Sequence, residues 1–164
     1  MSPMETADIQ KNALAFLTES DRLTAVVGSC PKDGNSHVAT VYYYVDNQFN
    51  FYFLTGTRSQ KYNNLLENPN AAMVVGFGPS QTTIQGQGAA VLLEKASEAE
   101  KEAIAHLKQR LQNHQNETWP LFQLDTYDSE SIAVFKFIPD TLQLLNLEHD
   151  GGLKVTTQGV AQII

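Results

Sequence analysis

At 164 residues, with 42% hydrophobic and 18% charged side chains, the chain has the composition of one globular domain able to bury a core without disulfides or a structural metal. A formal net charge of −7 opposes a phosphate backbone and argues against a nucleic-acid partner. The single cysteine, Cys30, excludes an internal disulfide and cysteine-based zinc motifs, and no stretch has the pattern of a signal peptide or a membrane span, so a cytoplasmic protein is expected.

Residues 6–18 place Ile9, Ala13, Phe16 and Leu17 at helical spacing, which predicts a short amphipathic helix lying against a sheet. "RLTAVVGSC", "PKDGN" and "SHVATVYYYV" then read as strand, turn and strand. "FNFYFLT" resumes as a strand with Phe49, Phe51 and Phe53 on one face and Tyr52 and Leu54 on the other. With both faces of 38–54 apolar, one fills an interior and the other needs a cover, for which a second copy of the chain is the simplest candidate.

"NAAMVVGFG" and "QTTIQGQGAAVLLE" make a hairpin around "GPS" in which Gly86 and Gly88 alternate with Gln85 and Gln87. Glycine alternation in a strand marks a bulge or the close approach of backbone or ligand. "SEAEKEAIAHLKQRLQNHQ" opens with the Ser97–Glu100 capping pattern and predicts a helix, after which "SIAVFKFIP" and "TLQLLNLEH" are closing strands. Connections this short between consecutive strands favour an antiparallel barrel with peripheral helices over a parallel Rossmann sheet. One domain over 1–164 is expected, its core at about 20–148 and its last residues, 150–164, a tail or an edge strand.

Between Lys32 and Lys95 the only basic side chains are Arg58 and Lys61, in one short turn after Thr55. Thr57–Arg58–Ser59–Gln60 has the spacing of a capping box and leads into Tyr62, Leu65 and Leu66 before Asn68–Pro69 stops the helix. A helix N-terminus with a guanidinium, an ammonium and hydroxyls suits a terminal phosphate. A plain helix cap flanked by solvated charges accounts for the same spacing.

The order of these features resembles the FMN-binding split barrel of the pyridoxamine 5′-phosphate oxidase-like superfamily. The resemblance is carried by Leu54, Thr55, Ser59, Lys61, Asn68, Pro69, Gly88 and Ala90, covers residues 20–95 and extends loosely to "SIAVFKFIPDTLQLL". It implies a mainly β fold, a six-stranded antiparallel split β-barrel (Greek key) with peripheral helices. It also implies a homodimer with one FMN per subunit at the interface. Thr55, Arg58, Ser59 and Lys61 would hold the FMN phosphate, with Leu54 in the preceding strand. The strand His37 to Tyr43 would lie along the ring, with Val38, Ala39 and Thr40 beside it. Thr83 and Gln85 would reach the same cofactor from the second subunit; Trp119 reads as a core-packing residue or, in such a dimer, as a cover over the flavin face of the neighbouring subunit. On this resemblance the glycines admit a flat ring or the neighbouring subunit.

The strand from Val38 to Tyr43 has none of the basic residues of the true oxidase, and the Arg-rich C-terminal segment of that enzyme is missing, so oxidation of the vitamin phosphate is not expected. The expected activity is flavin-dependent redox chemistry on a small molecule, with no catalytic acid or base nominated. The alternatives are a deazaflavin (F420)-dependent reductase and a non-catalytic flavin- or haem-binding module. Four histidines, at 37, 106, 114 and 149, lack metal-ligand spacing, no G-x-G-x-x-G follows a parallel strand, and no G-x-S-x-G occurs, so metal, dinucleotide and acyl-transfer sites have no support. His37 is a candidate donor to a ligand or an ordinary strand histidine. Tyr42, Tyr43 and Tyr44 read as a packing stripe.

Overall fold

The chain was analysed as a computed structural model that describes residues 6–76, 82–112 and 130–145, together with the backbone of 153–157 and 160–162. The elements are α1 (Thr6–Thr18), β1 (Thr24–Ser29), β2 (His37–Val45), β3 (Phe51–Gly56), α2 (Gln60–Glu67), β4 (Asn70–Val75), β5 (Thr83–Leu92), α3 (Glu98–Gln112), β6 (Ile132–Leu145), β7 (Leu153–Thr157) and β8 (Val160–Gln162). The strands run antiparallel in the order β3-β2-β1-β4-β5-β6, and pairing of β3 with β6 closes these six into a barrel. β1 to β3 form a meander, and the chain returns through α2 to place β4 on the far side of β1. The expected six-stranded antiparallel barrel with peripheral helices is present.

Inside the barrel, alternate residues of each strand meet. Val41, Tyr43 and Val45 face Phe51, Phe53, Phe135 and Phe137, and Phe53 stacks on Phe135 with centroids 5.7 Å apart. Ile9, Ala13, Phe16 and Leu17 of α1 join this core, as their spacing predicts. The Tyr43 hydroxyl donates to the Leu17 carbonyl at 2.6 Å. Arg110 of α3 donates to the Arg22 carbonyl at 2.8 Å and reaches the Leu17 carbonyl at 3.5 Å, tying α3 to the end of α1.

Four sequence expectations change in detail. The opposite face of β2 and β3 is covered within the chain, because Tyr42, Leu54 and Val134 pack beneath Ala103, Leu107 and Leu111 of α3. Phe49 packs against the core from a turn, not from the strand; its φ is 62°, and the Asp46 carboxylate organises that turn by accepting from the Gln48 and Asn50 N–H groups, each at 2.9 Å. The two closing strands are one 14-residue strand, β6, whose first half pairs with β3 and whose second half pairs with β7. Of the expected tail or edge strand at 150–164, Leu153–Thr157 and Val160–Gln162 form β7 and β8, which continue the sheet beyond the barrel.

The last change concerns the glycines. β6 pairs along the whole of β5, and their register shifts between Gln87 and Gly88, opposite Pro139 and Thr141, which brings β6 backbone close to Gly86 and Gly88. A Cβ on Gly88 would lie 2.6 Å from Pro139 Cα, and one on Gly86 would lie 2.8 Å from the Thr141 carbonyl oxygen. Close approach by backbone is the right reason for these glycines, but the backbone belongs to β6 of the same chain.

Candidate functional site

α2 sits on one end of the barrel. Ser59 is its N-cap, with the Tyr62 N–H donating to Ser59 Oγ at 3.2 Å. Thr57, which the capping-box spacing also offered, turns instead toward the Ser131 carbonyl, 3.2 Å away. Asn64 donates to Ser29 Oγ at 3.3 Å, and Asn68 donates to the Cys30 carbonyl at 3.1 Å, so the helix is pinned to the end of β1. Four of the phosphate candidates, Thr55, Arg58, Ser59 and Lys61, thus fall between the end of β3 and the first turn of α2.

Thr55 Oγ1 and Ser59 Oγ lie 2.9 Å apart. One hydroxyl hydrogen joins them and the other is left to donate elsewhere. The N–H groups of Gln60 and Lys61 open the helix without intrahelical acceptors. Arg58 is exposed at the rim. Lys61 is only 7% exposed, and burial lowers its pKa below the usual lysine value. Among the described residues it has no ion pair and no hydrogen bond. His37, paired with Ser29 across the same barrel end, adds a second open group: its Nδ1 is buried and has no hydrogen-bond partner among the described residues.

The other predicted positions divide by face. Val38 and Thr40 point outward, and Val38 is 66% exposed, whereas Ala39 pairs with Val27 on the inward side. Gln85 shares the outward face with Thr40 along one transverse row, Thr40, Val26, Val74, Gln85 and Gln143. Thr83 is half-buried at the start of β5. Leu54 sends its side chain under α3, away from Thr55. Trp119 lies outside the described residues, as does the 78–80 turn.

On this outward wall a groove of about 310 Å³ runs across β1, β4, β5 and β6, with Val38 of β2 at one edge. Its floor is Gly28 and Ala72, partners in the β1–β4 register, and Gly28 directly precedes the Ser29 that anchors α2. Gln87, Thr141 and Gln143 line it beside the predicted Gln85; the sequence signal for Gln87 was its alternation with the glycines, and nothing local marked Gln143. Gln85 Nε2 donates to Gln143 Oε1 at 2.8 Å.

No phenol among the described residues lines the groove. Tyr43 is inside the barrel, where burial holds its pKa far above the ordinary tyrosine value. Tyr44 stacks on His106 of α3 with centroids 4.3 Å apart. Tyr52, desolvated and donating to the Asp46 carboxylate at 3.1 Å, is pushed up to about 12. The three-tyrosine stripe is packing, as its pattern indicated. Among the described residues no group of three metal-ligating side chains occurs, and no helix is long and apolar enough to cross a membrane.

Known structures share this architecture. A putative pyridoxamine 5′-phosphate oxidase from Listeria innocua is 24% identical with a TM-score of 0.60, over 84% of this chain and 98% of its own. ChuZ from Campylobacter jejuni superposes with a TM-score of 0.76 at 12% identity, over 99% of this chain and 65% of its own. A haem-binding protein from Mycobacterium smegmatis gives 0.68 at 12% identity, over 96% of this chain and 60% of its own. At these identities the likeness carries the fold. No match was found among curated proteins. The family model described as pyridoxamine 5′-phosphate oxidase matches residues 9–145, which is most of the barrel and every described residue of the α2 site, and the chain belongs to that family.

Proposed function

We propose that the protein is an FMN-binding flavoprotein that carries out redox chemistry on a small molecule. The observation that carries this reading is Lys61, a largely buried lysine without a counter-ion among the described residues, set at the N-terminus of α2 beside the Thr55 and Ser59 hydroxyls. An incoming phosphate would receive the ammonium, the spare hydroxyl hydrogen and the open N–H groups, with Arg58 closing from the rim. The flavin supplies electron transfer when bound; the chain anchors its phosphate and offers β2 and the outer wall to its ring.

The groove offers no titratable side chain among its described lining, so none of those residues would serve there as an acid or base. That same observation supports the second reading, a non-catalytic module that stores or delivers a flavin or haem; the Mycobacterium smegmatis neighbour is described as binding haem. A deazaflavin fits the anchor equally, since its phosphate meets the same groups.

A homodimer belongs to this proposal. β1, β4 and the outward half of β5 carry no charged side chain, and depletion of charge is the mark of an interface core in a molecule whose copies each carry −7. A second copy on this wall would bring Thr83 and Gln85 to the partner's cofactor.

The test is the absorption spectrum of the purified protein followed by FMN titration of wild type and Lys61→Ala. Wild type is expected to bind FMN, and the variant to lose roughly 1.5–3 kcal/mol, as for a hydrogen bond to a charged group. Equal dissociation constants would refute the anchor, and a Soret band would promote the haem reading.

A further inference from the structure

We propose that Lys61 is also a modification site: while no cofactor fills the α2 anchor, a small acyl phosphate docks there and transfers its acyl group to the lysine amine. This rests on the phosphate anchor proposed above, though not on which cofactor uses it. Lys61 is 7% exposed and has no ion pair or hydrogen bond among the described residues, whereas Lys95 and Lys101 pair with Glu100 and Glu98. No acidic residue stands in the first turn of α2 to claim its amine. The Thr55 and Ser59 hydroxyls, 2.9 Å apart, share one hydrogen and leave the other, with the open N–H groups of the helix, to receive a phosphate.

In an acyl phosphate the carbonyl carbon is one bond from a phosphate oxygen. An amine placed to touch the phosphate is therefore also placed beside the carbon it must attack. Attack requires the neutral amine, and burial, which lowers the Lys61 pKa, enlarges that fraction at neutral pH relative to an exposed lysine. Nζ adds to the carbonyl carbon, the bond from that carbon to the bridging oxygen breaks, and phosphate departs with the electron pair. The nitrogen gives its proton to the departing phosphate, and a neutral amide remains. The hydroxyls and N–H groups that hold the phosphate in place also stabilise the charge it carries away. The product lacks the cation of the anchor, so occupancy protects Lys61 and acylation closes the site to anions.

The purified protein would be treated with acetyl phosphate or with N-acetoxysuccinimide, which carries the same acyl group without a phosphate. Acetylation at each lysine would be followed in time by peptide mass spectrometry, with exposed Lys32 and Lys108 as references. Acetyl phosphate is expected to label Lys61 about tenfold faster than either reference, through anchoring of its phosphate, and the other reagent to show no such preference. Inorganic phosphate should slow labelling at Lys61 alone, and FMN should do the same. Labelling of Lys61 no faster than the references, the same preference with both reagents, or no protection by phosphate overturns the proposal. Protection by phosphate without protection by FMN refutes the flavin reading and leaves the modification site standing. FMN binding without preferential labelling refutes the modification site alone.

Discussion

Replacing Lys61 by methionine separates what this side chain does for the fold from what it does for a ligand. Lys61→Met keeps an unbranched stem of similar reach and removes the ammonium, so packing at the barrel end is nearly preserved. Burial lowers the folded-state pKa from 10.5, which means the folded chain holds this proton less tightly than the unfolded one. The resulting destabilisation is fully present below the folded-state pKa and is relieved as pH rises through it toward 10.5. Without ligand at neutral pH the variant should therefore equal or exceed wild type, by up to about 2 kcal/mol, and the gap should narrow on the alkaline side. FMN should reverse the order, adding about 2.7 kcal/mol to wild type at about 100 times its dissociation constant. The variant, short of roughly 1.5–3 kcal/mol of binding, would need tenfold to more than a hundredfold more FMN for the same gain. Urea denaturation followed by circular dichroism, with and without FMN across this pH range, reads every arm. A ligand-free variant clearly weaker than wild type, with a gap that pH does not alter, would show that the ammonium has a structural partner and would refute the reasoning.

Two further substitutions test the frame that presents the site. Gly88→Ala forces a Cβ against Pro139 Cα and the Ile138 carbonyl and should cost about 3 kcal/mol, read as a lower urea midpoint; a loss under about 0.5 kcal/mol would mean that β6 is not held over β5 as described. Arg110→Ala removes the guanidinium from the Arg22 and Leu17 carbonyls at the end of α1 and should lower stability by about 1.5–3 kcal/mol in thermal or urea unfolding, with Arg110→Lys recovering only part. An unchanged unfolding midpoint would show these bonds are matched by water.

Local signals carried much of this fold into the sequence. Alternation in 38–54 and 83–92 gave the strands, and Ser97 with the Ala103, Leu107 and Leu111 spacing gave α3, whose cap is present: the Glu100 N–H donates to Ser97 Oγ at 3.2 Å. The site was legible where it is local, since Thr55, Ser59 and Lys61 fall within seven residues of one strand–helix junction. What the sequence hid are relations between distant segments. That α3 covers Tyr42 and Leu54 depends on a pairing of helix and sheet more than 40 residues apart, so a second copy looked like the simplest cover. That Gly86 and Gly88 yield to β6 depends on the register shift opposite Pro139, some 50 residues later. Gln143 enters the groove only because β6 lies beside β5, and a lone glutamine in an apolar run announces no partner.

The two halves of the candidate site are opposite in electrostatic character, and that contrast limits what the protein can do. At α2 a largely buried lysine, two hydroxyls and a helix N-terminus converge, an arrangement suited to an anion, since partial desolvation of an unpaired ammonium burdens the fold. Across the β1–β4–β5 wall the side chains are neutral, so nothing there steers or pairs a charged substrate. A true oxidase of a phosphorylated vitamin needs cations at both places, one set for the cofactor and one for the substrate. In this chain Arg58 and Lys61 stand at the α2 end, and the described lining of the wall carries no cation. On the flavin reading, the division predicts that affinity for FMN falls with added salt, through Lys61 and Arg58 at α2, while contacts along the neutral wall are nearly indifferent to it.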